Sequence, residues 1–376
     1  MTRRLLTIGH SYVVSENRRL AHEMGVQGRG RWQVTAVAPS TFRGDLGPLR
    51  AERCDGEALE LRTVQVRLSR SVHFMRYAHL EAALGGAWDV VHAWEEPYIA
   101  AGAQIASAVP RSARFVVATF QNVSKNYPWP LSAYEQSAMS RADGWIAFGR
   151  TGHDVLADRA GYAGKPFRVI PPGVDLQSFK PDSAAGAAIR ARLGWEDDVP
   201  VAGYLGRFEP EKGVETLVDA LDRCRVPWRA LFVGGGSLEP FLQRFASRHP
   251  ANVRVMTGIP HRDVPAWINA MSLLCAPSET TPKWREQFGR MLIEAMACGV
   301  PVAGSDSGEI PHVIGEAGVI LPERDVDAWI RMLERVLHDP AERARLGAAG
   351  RERAASTFSW PIVARAHLDW FEELLS

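Results

Sequence analysis

Two acids and two cations in the second half of the chain are placed where they could handle an anionic, hydroxylated ligand. Glu286 and Glu294 stand eight positions apart in REQFGRMLIEAMACG, and Arg207 and Lys212 five apart in GRFEPEKGVETL. A cation beside the opening turn of a helix suits a diphosphate, because it adds a charge-assisted hydrogen bond to the free amides of the helix N-terminus. Eight residues are about 800° of α-helix, so the two acids do not form one helical stripe. Glu286 falls in a loop at a strand's C-terminal end and Glu294 in the helix that follows, so both can border one ligand from different directions. Gly289, at the junction, lets backbone approach a ligand closely. Spacing alone also fits a plainer reading: a solvated loop acid at 286, an exposed helix residue at 294 and two surface cations. GGGS at 234–237 leaves room for a ligand, and a tight βα turn needs it in any case.

The first half offers fewer such residues. GHSYVVSENRRL puts Gly9 and His10 at the end of a first apolar run, where a lone His is either a site residue or a satisfied structural one. DVVHAWEEPY sets Trp94, Glu95 and Glu96 just past another strand end, lining an acceptor cleft or a solvated loop. Asp325–Val326–Asp327 has the D-x-D form of a metal site. It directly precedes AWIRMLERVL and reads as a helix cap, and no metal is expected.

These residues must be held by α/β architecture. RLLTIG, WQVTAVAP, DVVHAW, RFVVATF and GWIAFG recur at spacings that leave room for crossover helices, the pattern of a parallel sheet. VPVAGYLGR, RALFVGGG, NVRVMTG, SLLCAPS, VPVAGS and AGVILP begin a second series. IPPGVDLQSFKPDSAAG between them suits a hinge, which predicts domains over 1–173 and 174–355 and a terminal helix over 356–376. In that helix Pro361 fits the first turn, with Ser359 as its cap. At 376 residues two domains are expected. No apolar run approaches the roughly 18 residues of a membrane span, and MTRRLLTIGH reads as a first buried strand in preference to a secretory signal. The four cysteines are scattered, without metal-ligand spacing, and suit a reducing cytosol. A net charge of +1 gives no argument for nucleic acid. The arginines at 18, 19, 29 and 31 could face anionic lipid, so peripheral contact at the inner membrane face accompanies the cytoplasmic expectation.

GRFEPEKG, FVGGGSLE, WREQFGR with EAMACGVPV, GSDSGEIP, and RVIPPGVDLQSFKP at the domain junction resemble the retaining glycosyltransferases of family four, also called group-one transferases. The resemblance implies a GT-B fold, two Rossmann-like domains facing across a cleft; the terminal amphipathic helix either packs on its neighbour or crosses back to the first domain. It implies transfer of a sugar from a nucleoside diphosphate sugar to an acceptor hydroxyl, with retention of configuration and without a metal. Under it, Arg207 and Lys212 hold the donor diphosphate, Glu294 the ribose, and Glu286 with the backbone of Phe288, Gly289 and Arg290 the transferred sugar. Ile259 lies where such enzymes receive the base.

The chain also departs from that pattern. Gly9 and His10 stand where relatives often carry a Gly-Gly loop near the donor phosphates, and Gln121 where many carry a His that contacts the donor sugar. An amide cannot accept a proton as imidazole can, so Gln121 and Asn122 are expected to hydrogen-bond, with Lys125, Tyr127 and Trp129 on the acceptor loop. A UDP-sugar is favoured over a GDP-sugar as donor, with no further cofactor. The acceptor is a sugar, a lipid-linked molecule or a small molecule. The rival readings are a non-catalytic sugar-nucleotide-binding subunit, a nucleotide-sugar epimerase and a nicotinamide-dependent oxidoreductase. The last lacks the G-x-G-x-x-G that should follow the first strand.

Overall fold

The computed structural model describes residues 2–44, 47–195 and 198–376. The chain divides into two units, Met1–Gly173 with Trp360–Ser376, and Val174–Ser359.

The first unit is built on seven strands: β1 (Arg3–Ile8), β2 (Trp32–Pro39), β3 (Glu60–Val64), β4 (Val90–Ala93), β5 (Arg114–Thr119), β6 (Gly144–Ala147) and β7 (Phe167–Val169). They pair in parallel in the order β7-β6-β5-β4-β1-β2-β3. Leu5 of the central β1 is in register with Val34 on one side and Val90 on the other. Successive side chains point to opposite faces. Leu6, Val91 and Phe115 enter one buried cluster, and Leu5, Val90 and Val116 enter another. Both faces are covered, which is why these strands read as continuous apolar runs.

The terminal helix, Trp360–Leu375, closes the second of those clusters with Val363, Leu368 and Phe371, beside α1 (Arg19–Gln27). Each such buried side chain contributes about 1.5–3 kcal/mol, enough to hold the helix on this sheet. Pro361 lies in its first turn, where a missing N–H costs nothing. Ser359 does not serve as its cap by the expected route: its hydroxyl donates back to the Ala355 carbonyl at 2.9 Å.

The second unit has six parallel strands: β8 (Val201–Arg207), β9 (Arg229–Gly235), β10 (Val253–Met256), β11 (Leu273–Ala276), β12 (Val302–Ser305) and β13 (Val319–Leu321), in the order β10-β9-β8-β11-β12-β13. Leu231, Leu274 and Ile293 pack on one face, and Tyr204, Phe232 and Trp329 on the other. Two helices start at the C-terminal ends of central strands, α2 (Val214–Arg223) after β8 and α3 (Arg290–Ala297) after β11. That is the edge where open parallel sheets bind ligands. Among the described residues no helix is long and apolar enough to cross a membrane.

Candidate functional site

In the second unit, glycine positions bring the charged side chains together. Gly213 caps α2 at φ 66°, and a Cβ there would fall 1.8 Å from the Pro277 carbonyl oxygen. The turn after β8 can therefore lie against the end of β11 only without a side chain at 213. Lys212 consequently reaches Glu286, its Nζ donating to Oε2 at 2.7 Å. The Ser278 hydroxyl donates to the same oxygen at 2.9 Å. Gly308 does the corresponding work from the loop after β12. At φ 54° its absent Cβ would lie 2.0 Å from the Glu286 carbonyl, and the neighbouring Glu309 amide donates to that carbonyl at 3.1 Å.

Glu286 and Glu294 are both buried, so neither is the solvated acid that spacing alone allowed. Glu286 lies in the loop three residues before Gly289, the cap of α3, and Glu294 lies on α3, one turn inside its N-terminus. Glu294 faces His261 Nε2 at 3.3 Å, and Arg290 on its own helix at 4.0 Å. Gly289 caps α3 at φ 82°, in the left-handed region that favours glycine. Phe288 is buried and packs edge-on against Phe358, which leaves its backbone, not its ring, at the site. Ile259 is half-buried in the turn after β10, packed against the unit's core.

The two cations differ in setting. Lys212 is 13% exposed in its side chain, whereas Arg207 is 59% exposed and pairs with Glu211 at 3.3 Å. Asp325 accepts from the Ala328 amide at 2.9 Å and caps the helix Val326–His338, and Asp327 pairs with Arg223.

The first unit collects its polar residues at the same kind of edge, past β1, β4 and β5. Glu95 is buried, and its carboxylate takes the His10 amide and the Tyr77 hydroxyl on one oxygen, each at 2.5 Å. The other oxygen meets His10 Nδ1 at 2.6 Å. Burial works to lower the proton affinity of His10, but the charge and hydrogen bond of Glu95, with help from Glu96, outweigh it and raise the pKa. Glu96 accepts from the Thr119 hydroxyl at 2.6 Å and the Phe120 amide at 2.7 Å. Burial pushes its carboxyl up to about 7 against those two hydrogen bonds, and the charges of Glu95 and Glu135 push the same way. Trp94 packs its ring on Phe148 at 4.7 Å, and Gly9 lies under Trp94, where a Cβ would sit 3.1 Å from its carbonyl.

Gln121 turns inward. Its Nε2 donates to Glu135 and Tyr162, each at 3.3 Å, and its Oε1 accepts from Tyr127 at 3.1 Å. Asn122 is buried beside it, whereas Lys125 and Trp129 are exposed further along the loop. The structure thus brings Gly9, His10, Trp94, Glu95, Glu96, Gln121 and Asn122 to one edge, with Glu95 and Gln121 spent on internal partners.

Sequence reasoning missed Ser278, Trp284, His261, Gly308 and Glu309. For Trp284 there was a signal: it is the one aromatic in the otherwise polar stretch TTPKWREQ. For Ser278 there was none, since a serine after a strand is commonplace.

Comparison with known proteins bears on both units. A family model described as "Glycosyltransferase Family 4" matches residues 18–178, and one described as "Glycosyl transferases group 1" matches residues 187–353. A GDP-mannose-dependent alpha-(1-6)-phosphatidylinositol monomannoside mannosyltransferase of Mycolicibacterium smegmatis is 38% identical over 51% of this chain and 52% of its own length. A D-inositol 3-phosphate glycosyltransferase of Xylanimonas cellulosilytica is 33% identical over 64% of this chain and 59% of its own. The chain therefore spans between half and three-fifths of these relatives. Among solved structures, the Anabaena protein HepE in complex with UDP matches with a TM-score of 0.73 at 18% identity, covering 99% of this chain and 100% of that one. At that identity the likeness establishes the fold, which is GT-B.

Proposed function

This chain belongs to the group-one glycosyltransferases of family four, and from that premise we propose that it moves a sugar from a nucleoside diphosphate sugar to an acceptor hydroxyl, with retention at the anomeric carbon and no metal. The observation that carries the proposal is the convergence of Lys212 and Glu286, 74 positions apart and 2.7 Å from each other, at the mouth of two helix N-termini. As the bond from sugar to phosphate breaks, negative charge grows on the leaving diphosphate. Fixed cations and oriented amides stabilise that charge without reorganising at the moment of reaction. Lys212 is the half-buried cation for this role, and Arg207 the exposed one that meets the outer phosphate. Glu286 orients the transferred sugar through its carboxylate and Glu294 holds the ribose, with the base near Ile259.

The donor is proposed as a nucleotide sugar of either base. UDP is the form bound in the HepE structure and GDP-mannose the donor named for the mannosyltransferase relative. The acceptor is proposed as a phosphate-bearing polyol, free or lipid-linked, since the relatives' names specify phosphatidylinositol monomannoside and inositol 3-phosphate. Acceptor contacts are assigned to His10, Trp94, Glu96, Asn122 and Lys125, with Glu95 and Gln121 supporting them from within.

The test is a transfer assay of UDP- and GDP-sugars against D-inositol 3-phosphate and phosphatidylinositol monomannoside, read by NMR at the anomeric position and repeated with a chelator. Product with unchanged anomeric configuration and undiminished turnover in chelator is expected. An inverted product would remove the retaining assignment, and activity restored only by added divalent metal would remove the metal-free one.

A further inference from the structure

The loop between β11 and α3 doubles back on itself. Thr281 and Trp284 form an antiparallel bridge closed by the turn Pro282–Lys283, with the Thr281 amide donating to the Trp284 carbonyl at 2.7 Å. The Thr281 hydroxyl accepts from the Trp284 amide at 3.0 Å and tightens the same turn. Trp284 stands two positions before Glu286, the spacing at which extended chain puts side chains on one side. Its indole lies over Lys212, with Nζ 4.7 Å from the ring centroid. A loop of this polarity has no packing need for tryptophan, and the ring is only half-buried.

Lys212 presents a problem that this ring solves. A lysine carries a compact charge on a flexible four-carbon stem and is hard to hold in one place. A carboxylate holds it but cancels the charge that a diphosphate must meet. An aromatic face attracts an ammonium through its quadrupole and leaves the full positive charge in place. We propose that Trp284 is a positioning residue of the donor site, an aromatic roof that keeps the Lys212 ammonium aimed at the diphosphate when Glu286 turns its carboxylate to the sugar. The inference rests on the reading of Lys212 as a diphosphate ligand, and it assigns to Trp284 an effect exerted only through that lysine.

The experiment is calorimetric titration of UDP and GDP into the wild-type protein and into Trp284→Leu, Trp284→Phe, Lys212→Ala and the Trp284→Leu/Lys212→Ala double variant, with a melting curve for each. Cation–π contacts of this kind correspond to roughly 3- to 30-fold in affinity. Trp284→Leu should weaken the nucleotide that binds by that range, and Trp284→Phe, which keeps a ring, should remain within about threefold of wild type. On the Lys212→Ala background the leucine substitution should cause no further loss, because coupled residues do not add. An equal loss on both backgrounds would show the ring acting on the fold or the ligand directly and would overturn the proposal, as would unchanged affinity in Trp284→Leu. Should Trp284→Leu melt early, Trp284→Phe and the double variant still decide the matter. Lys212→Ala binding as tightly as wild type, or no binding of either nucleotide to wild type, would overturn the diphosphate reading itself and this inference with it.

Discussion

At the sheet edge of the second unit a half-buried lysine and a buried glutamate face each other at 2.7 Å, so opposite charges are matched before any ligand arrives. At the corresponding edge of the first unit three carboxylates, Glu95, Glu96 and Glu135, share one network, answered by His10 and Arg159. The same topology therefore supports two electrostatic designs. The paired edge sets a lysine ammonium directly against a carboxylate, which suits a site that must meet an anion with a cation already in place. The carboxylate-rich edge leaves one acid, Glu96, titrating near 7, which suits contact with a neutral hydroxyl whose proton must be shared.

The sharpest way to break this contrast is Lys212→Ala. Transfer should fall about 30- to 1000-fold, or roughly 2–4 kcal/mol in transition-state stabilisation, in steady-state assays. Turnover close to wild type would remove the second unit's claim to the diphosphate. Next come the glycines that shape each edge. Gly213→Ala combines a left-handed backbone with a 1.8 Å clash against main chain and should destabilise by about 2–3 kcal/mol in urea unfolding. Gly9→Ala, at φ −159° with its nearest atom at 3.1 Å, should cost less than about 1 kcal/mol. Equal costs would mean that both edges are equally strained.

Smaller is the pH effect at Glu96. Its folded pKa of about 7 lies above the unfolded value near 4.5, so the folded state holds the proton more tightly. That stabilisation is complete below about pH 4.5 and is lost as pH rises through about 7. Glu96→Gln keeps a neutral side chain at all pH, and the Thr119 hydroxyl can turn to accept from its amide. The variant should match wild type near pH 5 and exceed it by about 1–2 kcal/mol near pH 8, after allowance for solvent screening at a half-buried group. Identical pH profiles would show that Glu96 ionises normally. Smallest is the stability change of Arg207→Ala, within about 0.5 kcal/mol for an exposed pair, measured beside its transfer rate.

How much of this was legible in the sequence depended on which force placed each residue. The apolar runs announced both parallel sheets because strands buried on two faces need them, and GVETLVDAL and RMLIEAMACG announced the two helices that start at the C-terminal edge of the second sheet. The burial of Glu286 was not legible. It depends on Gly213 and Gly308 bringing distant loops onto one carboxylate, and nothing local to residue 286 reports that. Likewise WEEPY showed two neighbouring acids but not that one faces inward to His10 and Tyr77 while the other meets Thr119 and Phe120. Gln121 could be read as a hydrogen-bonding residue from its type. That its partners are Glu135, Tyr162 and Tyr127 required the fold.

Whether the second unit holds a nucleoside diphosphate sugar can be read from thermal unfolding against a panel of UDP, GDP, their sugars and NAD(H). A ligand at 100 times its dissociation constant stabilises the folded state by about 2.7 kcal/mol. Melting temperature should rise clearly with one nucleoside diphosphate and its sugars, by less in Lys212→Ala, and not at all with NAD(H). A rise with NAD(H) alone, or a nucleotide shift that survives Lys212→Ala undiminished, would contradict a donor site in this unit.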